Sequence, residues 1–220
     1  MTRALEKVLN KIATAAESAG RPPEDVKLVA VSKVHGLDVI TPVLEAGQRL
    51  FGENRVQEAA EKWPALRQKF PDVRLHLIGP LQTNKVRQAV HLFDVIETVD
   101  RPKLARALAR IFEEEGLRRD VYVQVNVGRE EQKAGIAPEE ADDFIHLCRD
   151  ELGLTVAGLM CIPPAEGDPA PYFDLLAEIA RRNDINILSM GMSGDFETAI
   201  RHGATHVRIG TAVFGTRPGY

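Results

Sequence analysis

The sequence contains few cysteines, few aromatic residues and no surplus of basic charge. Two of its 220 residues are cysteines, and 5% are aromatic. Cys148 and Cys161 lack the CxxC or ligand spacing of a metal or redox motif, so we expect reduced thiols in the core and no metal site. The net charge of −4 disfavours general binding to nucleic acid or to an anionic membrane, because both favour a basic surface.

The sequence also lacks a long apolar run. No stretch approaches the ~18 consecutive apolar residues of a membrane span. Segment 1–20 is interrupted by charges, and its acidic residues Glu6 and Glu17 are atypical of a signal or transit peptide. Its apolar positions recur at helical spacing, at Leu5, Val8, Leu9 and Ile12. We therefore expect an amphipathic helix that ends at Gly20, in a cytoplasmic protein.

Short apolar runs alternate with longer amphipathic segments along the rest of the chain. Strands are predicted at 27–32, 49–52, 73–78, 94–98, 120–127, 154–162, 185–189 and 205–209. Helices are predicted between them, near 37–47, 54–69, 83–92, 101–116, 138–151, 171–182 and 195–202. No linker divides the chain, so this pattern predicts one domain, 1–220, folded as an α/β (β/α)₈ TIM barrel with one extra N-terminal helix. The alternative is an open doubly wound sheet, which the lack of GxGxxG after the first strand disfavours.

Two of the predicted strands alternate between apolar and polar residues. In "VYVQVNV" (121–127) the odd positions are valine, and the even positions are Tyr122, Gln124 and Asn126. An edge strand facing water shows such a pattern, but in a barrel the valines pack outward on helices and the polar set faces the lumen. "THVRIG" likewise places His206, Arg208 and Gly210 on one face. An arginine directed into a barrel needs an anion, an acceptor or solvent.

The loops after the last two strands, "SMGMSGD" (189–195) and "RIGTAVFG" (208–215), resemble phosphate sites. Barrels of this class often bind phosphate at these loops, and helix N-termini favour anions. Ser193 and Gly194 precede one predicted helix, and Gly210 and Thr211 offer a second set of backbone amides. Taken alone, these residues could be no more than a helix N-cap and a turn. Their pairing at this end of a barrel favours a phosphate cup.

Lys33 ends the first strand in "VAVSKVHG" (29–36). A lysine at a strand end can simply extend to solvent. In a closed barrel, however, the first strand adjoins the eighth, so Lys33, Arg208 and the phosphate cup would share one opening. A partly desolvated amine near a phosphate-bearing carbonyl compound is suited to a Schiff base. Pyridoxal 5′-phosphate (PLP) supplies both groups and fits better than a sugar phosphate, which has no need of Arg208.

Several longer motifs then identify a family. They are "VAVSKVHG", "FGENRVQEA" (51–59), "LHLIGPLQTNK" (75–85), "QVNVGREEQKAGI" (124–136), "GLMCIPP" (158–164), "LSMGMSGDFETAI" (188–200) and "VRIGTAVFGTR" (207–217). In these motifs the sequence resembles the pyridoxal phosphate homeostasis family, which is similar in fold to the barrel domain of alanine racemase. The resemblance covers essentially the whole chain.

This resemblance implies a role for each candidate site residue. Lys33 would carry PLP as an internal aldimine, and Arg208 would approach the pyridine nitrogen. The phosphate would be held by Ser193, Gly194, Gly210 and Thr211, and the pocket would be lined by Asn54, His76 and Met190. One departure follows the lysine: the family commonly has Thr-Lys-Pro or Thr-Arg-Pro where this chain has Val34-His35-Gly36. That difference predicts a more mobile or more open loop.

The same residues bear on whether the protein is an enzyme. A cationic Arg208 at the pyridine nitrogen weakens the ring as an electron sink. Alanine racemase tolerates such an arginine but takes a second acid/base, a tyrosine, from a separate domain. Tyr122, Tyr172 and Tyr220 offer no convincing substitute, and His76 is better explained as a hydrogen-bonded pocket residue than as a catalyst.

We therefore expect a protein of vitamin B6 homeostasis with no robust catalytic activity and no catalytic residues. It would bind PLP reversibly, with apo PLP-dependent enzymes as possible recipients, and a monomer is more plausible than a dimer. The alternatives are a small PLP-dependent racemase or decarboxylase and, less favoured, a Schiff-base aldolase acting on phosphosugars.

Overall fold

The computed structural model describes residues 2–215, in which eight parallel strands form a closed barrel. The strands are β1 (Lys27–Val31), β2 (Leu50–Glu53), β3 (Arg74–Leu77), β4 (Val95–Val99), β5 (Asp120–Val125), β6 (Thr155–Cys161), β7 (Ile187–Ser189) and β8 (His206–Ile209). They pair in sequence order, and β8 pairs with β1 to close the barrel. The predicted barrel is therefore confirmed. The open sheet is excluded because it would leave two strands with a free edge, whereas here every strand pairs on both sides.

Helices connect the strands and form the outer layer. They are α1 (Arg3–Ser18), α2 (Leu37–Glu45), α3 (Val56–Lys69), α4 (Val86–Leu92), α5 (Pro102–Glu115), α6 (Ala141–His146), α7 (Ala170–Arg182), α8 (Phe196–Arg201) and α9 (Thr211–Phe214). The predicted helix 138–151 is divided into a 3₁₀ turn, α6 and a π-helical turn over Leu147–Glu151. The single-turn α9 was not predicted, because four residues are too few for a periodic pattern.

The extra N-terminal helix α1 packs on α8 and α9. Its buried side chains, including Leu5, Val8 and Ile12, join the core between the barrel and the helices. Arg21 follows this helix and donates to the carbonyl oxygens of Ile200 (2.9 Å) and Ala204 (2.8 Å). Helix α1 thus covers this side of the barrel through its contacts with α8 and with the single-turn α9.

The alternation in β5 separates two packing layers, as predicted for a barrel. Val121, Val123 and Val125 belong to the large core between sheet and helices. Tyr122 belongs to a small separate cluster inside the barrel. The strand ends at Val125 rather than at the predicted residue 127, because the Asn126 side chain bonds to the backbone of the following loop and turns the chain.

Two expectations from composition concern the cysteines and the membrane. Cys148 and Cys161 are free and buried, as predicted, and burial raises the pKa of each thiol to about 12. Such thiols are protonated and unreactive at neutral pH. Between residues 2 and 215, no helix combines the length and apolar character that crossing a bilayer requires.

Gly79, just beyond β3, allows two strand ends to approach closely. A Cβ at this position would lie 2.2 Å from the carbonyl oxygen of Asn54. We expect Gly79→Ala to lower the free energy of unfolding by about 1–3 kcal/mol, because the backbone must shift to relieve this overpacking. Denaturant unfolding measures the effect, with Gly194→Ala as the control, since no atom lies within 4 Å of a Cβ at that position. Equal stability of the two variants would contradict this packing.

Candidate functional site

A small cavity opens at the carboxyl ends of the strands, the end at which barrels of this class bind ligands. Its volume is about 210 Å³, below the roughly 300–1,000 Å³ of pockets for drug-sized molecules. It is lined by Val31, Lys33, His35, Asn54, Ile78, Ile162, Met192, Ser193, Arg208, Gly210 and Thr211. Cationic and hydroxyl groups therefore share this cavity with aliphatic side chains, and its size suits a small ligand.

Lys33 reaches this cavity from the turn that follows β1. The turn is closed by a hydrogen bond from the His35 amide to the Ser32 carbonyl oxygen (3.2 Å). Lys33 is half-buried, and the His35 ring packs against Phe214 of α9, with centroids 5.2 Å apart. The Val34-His35-Gly36 segment, expected to be more mobile or more open, thus contacts α9 through His35.

Arg208 extends from β8 into the lumen and is 4% exposed. Its Nη1 donates to Ser189 Oγ on β7, and its Nη2 donates to the Cys161 carbonyl oxygen on β6, both at 2.8 Å. The guanidinium carries five N–H groups in a rigid plane. Two of them are used in these bonds, which fix the direction in which the remaining ones face.

A buried carboxylate below Arg208 compensates its charge. Glu97 accepts from Ser189 Oγ (2.5 Å) through Oε2, and its Oε1 lies 2.6 Å from His76 Nδ1. Burial alone would raise the pKa of Glu97, but the hydrogen bond with His76, the charges of His76 and Arg208 and the bond from Ser189 lower it. Glu97 is therefore an anion, and a continuous network links Arg208, Ser189, Glu97 and His76.

The two loops predicted to bind phosphate meet at the cavity. Ser193 lines it from the loop after β7, and Gly210 and Thr211 line it from the start of α9. Gly194 is exposed beside Ser193 and does not line it. The first N–H groups of a helix have no partner within that helix, so the α9 end offers donors to an anion.

Two further predicted residues lie away from the cavity wall. Met190 is fully buried in the outer core, because side chains alternate along β7 and Ser189 takes the lumen side. Met192 lines the cavity instead. His76 faces the lumen but lies deeper than Arg208. It bonds to Glu97, and its ring contacts that of His206, which precedes Arg208 by two residues on β8. Asn54 lines the cavity as predicted.

Sequence reasoning missed the residues that fix Arg208. Glu97 had a visible signal, a carboxylate within "VIETV" (95–99), whose other residues are apolar except for Thr98. Such a residue in a buried strand needs a partner. Ser189 had no comparable signal, because a serine at a strand end is common in turns and caps.

A layer of ring side chains lies in the lumen beneath Arg208. Tyr122 and His206 have ring centroids 6.3 Å apart, and Tyr122 lies 6.2 Å from His76. Burial and the Glu97 charge raise the pKa of Tyr122, so the phenol keeps its proton. Tyr172 lies near the start of α7, and Tyr220 falls outside the described residues. Within residues 2–215, no group of three His, Cys, Asp or Glu side chains is arranged to hold a metal ion.

Sequence comparisons connect this barrel to known proteins. Residues 4–218 match the family model of the alanine racemase N-terminal domain. A relative from Aquifex aeolicus (strain VF5), called pyridoxal phosphate homeostasis protein, is 40% identical over 222 residues, covering 97% of this chain and 96% of the relative. A relative of the same name from Escherichia coli (strain K12) is 38% identical and covers 97% of this chain and 95% of its own length.

Two solved structures are also similar to this barrel. The structure of PipY from Synechococcus elongatus PCC7942 with PLP bound is 38% identical, with a TM-score of 0.78 over 93% of this chain and 100% of PipY. An alanine racemase from Clostridium difficile 630 is 19% identical, with a TM-score of 0.74 over 99% of this chain and 58% of the racemase. This second likeness shows the fold alone.

His206 generates a prediction about stability in acid. Burial lowers the pKa of His206 from 6.5 to about 4. The unfolded chain therefore binds more protons between these pH values, and the folded state loses stability as the pH falls through this window. We expect His206→Gln to reduce that loss by on the order of 2 kcal/mol, as measured by denaturant unfolding between pH 7 and pH 4.

The control is His146→Gln, which changes an exposed histidine. It should leave the acid dependence as it is in the unsubstituted protein. An acid-induced loss that is the same in His206→Gln and in the unsubstituted protein would contradict the assignment.

Proposed function

The chain belongs to the pyridoxal phosphate homeostasis protein family, and from that premise we propose that it binds PLP reversibly in this cavity. We also propose that residues 1–220 form one domain. Lys33 would hold the aldehyde carbon through a Schiff base. The protein would limit the free aldehyde in the cell and supply cofactor to apo PLP-dependent enzymes. It would do so without a robust reaction of its own.

The single observation that carries this proposal is the shared cavity. A primary amine (Lys33), a guanidinium (Arg208) and hydroxyl and amide donors (Ser193, Gly210 and Thr211) line one volume of about 210 Å³. PLP presents an aldehyde, a pyridine nitrogen and a phosphate, and each group has a chemically matched partner here. The residues present therefore fit this cofactor. Gly194 would contribute to the phosphate loop through its backbone beside Ser193.

Arg208 supports a storage role better than catalysis. When bound, PLP supplies an electron sink for carbanions, and an acidic partner at its ring nitrogen usually strengthens that sink. An arginine guanidinium is a permanent cation in proteins, and the charge of Arg208 is balanced by buried Glu97. A permanent cation at the pyridine nitrogen favours the unprotonated ring, which is the weaker sink.

The surroundings of the cavity support the same conclusion. The phenol of Tyr122 lies in the lumen layer with His76 and His206, and its raised pKa makes it a poor proton donor and acceptor at neutral pH. His76 is committed to Glu97 at 2.6 Å. The curated relatives cited above carry the name of a homeostasis protein rather than that of an enzyme.

We also propose that the protein is a cytoplasmic monomer. The barrel already brings the amine of Lys33, the guanidinium of Arg208 and the phosphate donors to one cavity, so the proposed site does not require a second copy. Buried free thiols at Cys148 and Cys161 are compatible with a reducing compartment.

Lys33→Ala tests the proposal. After incubation with PLP and removal of excess cofactor, the unsubstituted protein should show a Schiff-base absorption band, and Lys33→Ala should lose it completely. Lys33→Arg should lose it too, because a guanidinium keeps the positive charge but is not a primary amine. The measurement is an absorption spectrum of each purified protein.

The matched control is Lys27→Ala, at the opposite end of the same strand, where the side chain is exposed. This variant should keep the full band. A band of undiminished intensity in Lys33→Ala would show that another amine binds the cofactor and would contradict the assignment.

A further inference from the structure

The turn that carries Lys33 contains a strained residue. Val34 has φ = +63°, a left-handed conformation that a β-branched side chain rarely adopts. Its side chain is exposed, at 52% of its accessible surface, so its own packing does not enforce this conformation. A strained backbone persists only where its surroundings hold it in place. The contacts that hold this turn in place come from α3.

Lys62 of α3 contacts both ends of this turn. Its Nζ lies 3.2 Å from the Ser32 carbonyl oxygen and 3.4 Å from the His35 carbonyl oxygen. The side chain is buried, with the residue 9% exposed. A lysine is rarely buried to this degree unless it is paired. Lys62 thus binds the two carbonyl groups that bracket Lys33 and Val34.

Glu58, one helical turn earlier in α3, contacts the strained residue itself. Its Oε1 accepts from the Val34 amide at 2.5 Å and from Lys62 Nζ at 2.8 Å. Partial burial would raise the pKa of Glu58, but the bonds from Lys62 and Val34 hold it below its usual value. A charged carboxylate is a stronger acceptor than a neutral group, so Glu58 is well suited to hold the Val34 amide in its unfavourable conformation.

Glu53, the last residue of β2, completes the cluster from below. It is fully buried, and its Oε1 lies 2.8 Å from Lys62 Nζ. The same oxygen accepts from Ser32 Oγ (2.7 Å) and from Trp63 Nε1 (3.1 Å). A buried ion pair is often no more stabilising than apolar packing of the same volume. Its presence directly under the Lys33 turn therefore favours a positional role over a purely stabilising one.

We propose that Lys62, Glu53 and Glu58, here called the Lys62 cluster, are positioning residues that hold the turn 32–35 so that Lys33 faces the cavity. The inference rests on the proposed function, because it assigns these residues to the orientation of the cofactor-binding amine. Among the described residues, the cavity is lined by none of these three side chains. They would act through the backbone of the turn rather than by contact with the cofactor.

Glu58→Ala tests the role of the cluster, since Glu58 is only partly buried and its loss leaves the Glu53–Lys62 pair intact. Substituting Lys62 alone would leave Glu53 as an unpaired buried charge and could unfold the protein. The matched control is Glu61→Ala, an exposed glutamate of the same helix. Glu58→Gln, which keeps an acceptor oxygen for the Val34 amide, should restore part of the effect.

The first readout needs no cofactor. In the apo protein, the Val34 amide should exchange its hydrogen faster in Glu58→Ala than in the unsubstituted protein and in Glu61→Ala, because its acceptor is gone. The second readout is the Kd for PLP, from absorption titration. If the turn is competent for only about one-tenth of the time without Glu58, the Kd rises about tenfold, because apparent affinity scales with the competent fraction.

The two readouts separate the possible failures. Amide exchange at Val34 and a Kd that both match those of Glu61→Ala would overturn the proposal. Faster exchange with an unchanged Kd would overturn it as well, because Glu58 would then hold the turn without affecting the affinity for PLP. A lower melting temperature with neither readout changed would reduce the cluster to a stabilising role, again against the proposal. Absence of PLP binding in the unsubstituted protein would instead refute the proposed function, and the exchange data would still show whether the cluster holds the turn.

Discussion

The parallel pairing of β1 with β8 is the constraint on which the site depends. Val29 pairs with Arg208, and Ala30 pairs with Ile209. The strands then end at the same level, so the residues that follow them, Lys33 on one side and Gly210 with Thr211 on the other, reach the same opening. Segments almost 180 residues apart in sequence are brought together by this one pairing. Without closure, the amine and the phosphate donors would lie at opposite edges of a sheet.

Closure also creates an interior in which charge must be balanced. The lumen holds a guanidinium and a carboxylate, Arg208 and Glu97, joined through Ser189 and extended to His76. Each group satisfies another that would be costly to bury alone. The network leaves the guanidinium charged and oriented toward the cavity. Under the proposed function, a cation fixed in this way would keep the pyridine ring unprotonated, so that the barrel would bind a reactive cofactor and make little use of its chemistry.

Most of the fold and part of the site could be predicted from sequence, for reasons tied to periodicity. Alternation correctly placed Tyr122 of β5 and His206 and Arg208 of β8 in the lumen, because side chains alternate along every strand. It failed for Asn126, which follows β5 and bonds to the next loop. The same rule explains why Met190 does not line the cavity: Ser189, at the end of β7, faces inward, and the next residue therefore faces outward. The depth of His76 could not be predicted, since alternation gives the face of a residue and not its layer. The Lys62 cluster was also invisible, because its members come from a strand and a helix and meet only after the chain has folded.

The proposed function requires that the Lys33 amine on the cavity wall be the group that binds PLP. The most direct measurement is chemical: reduction of the PLP-loaded protein with borohydride, proteolysis, and mass spectrometry of the peptides. One phosphopyridoxyl group is expected, attached to the peptide that contains Lys33. Modification of a different lysine with Lys33 unchanged would contradict it.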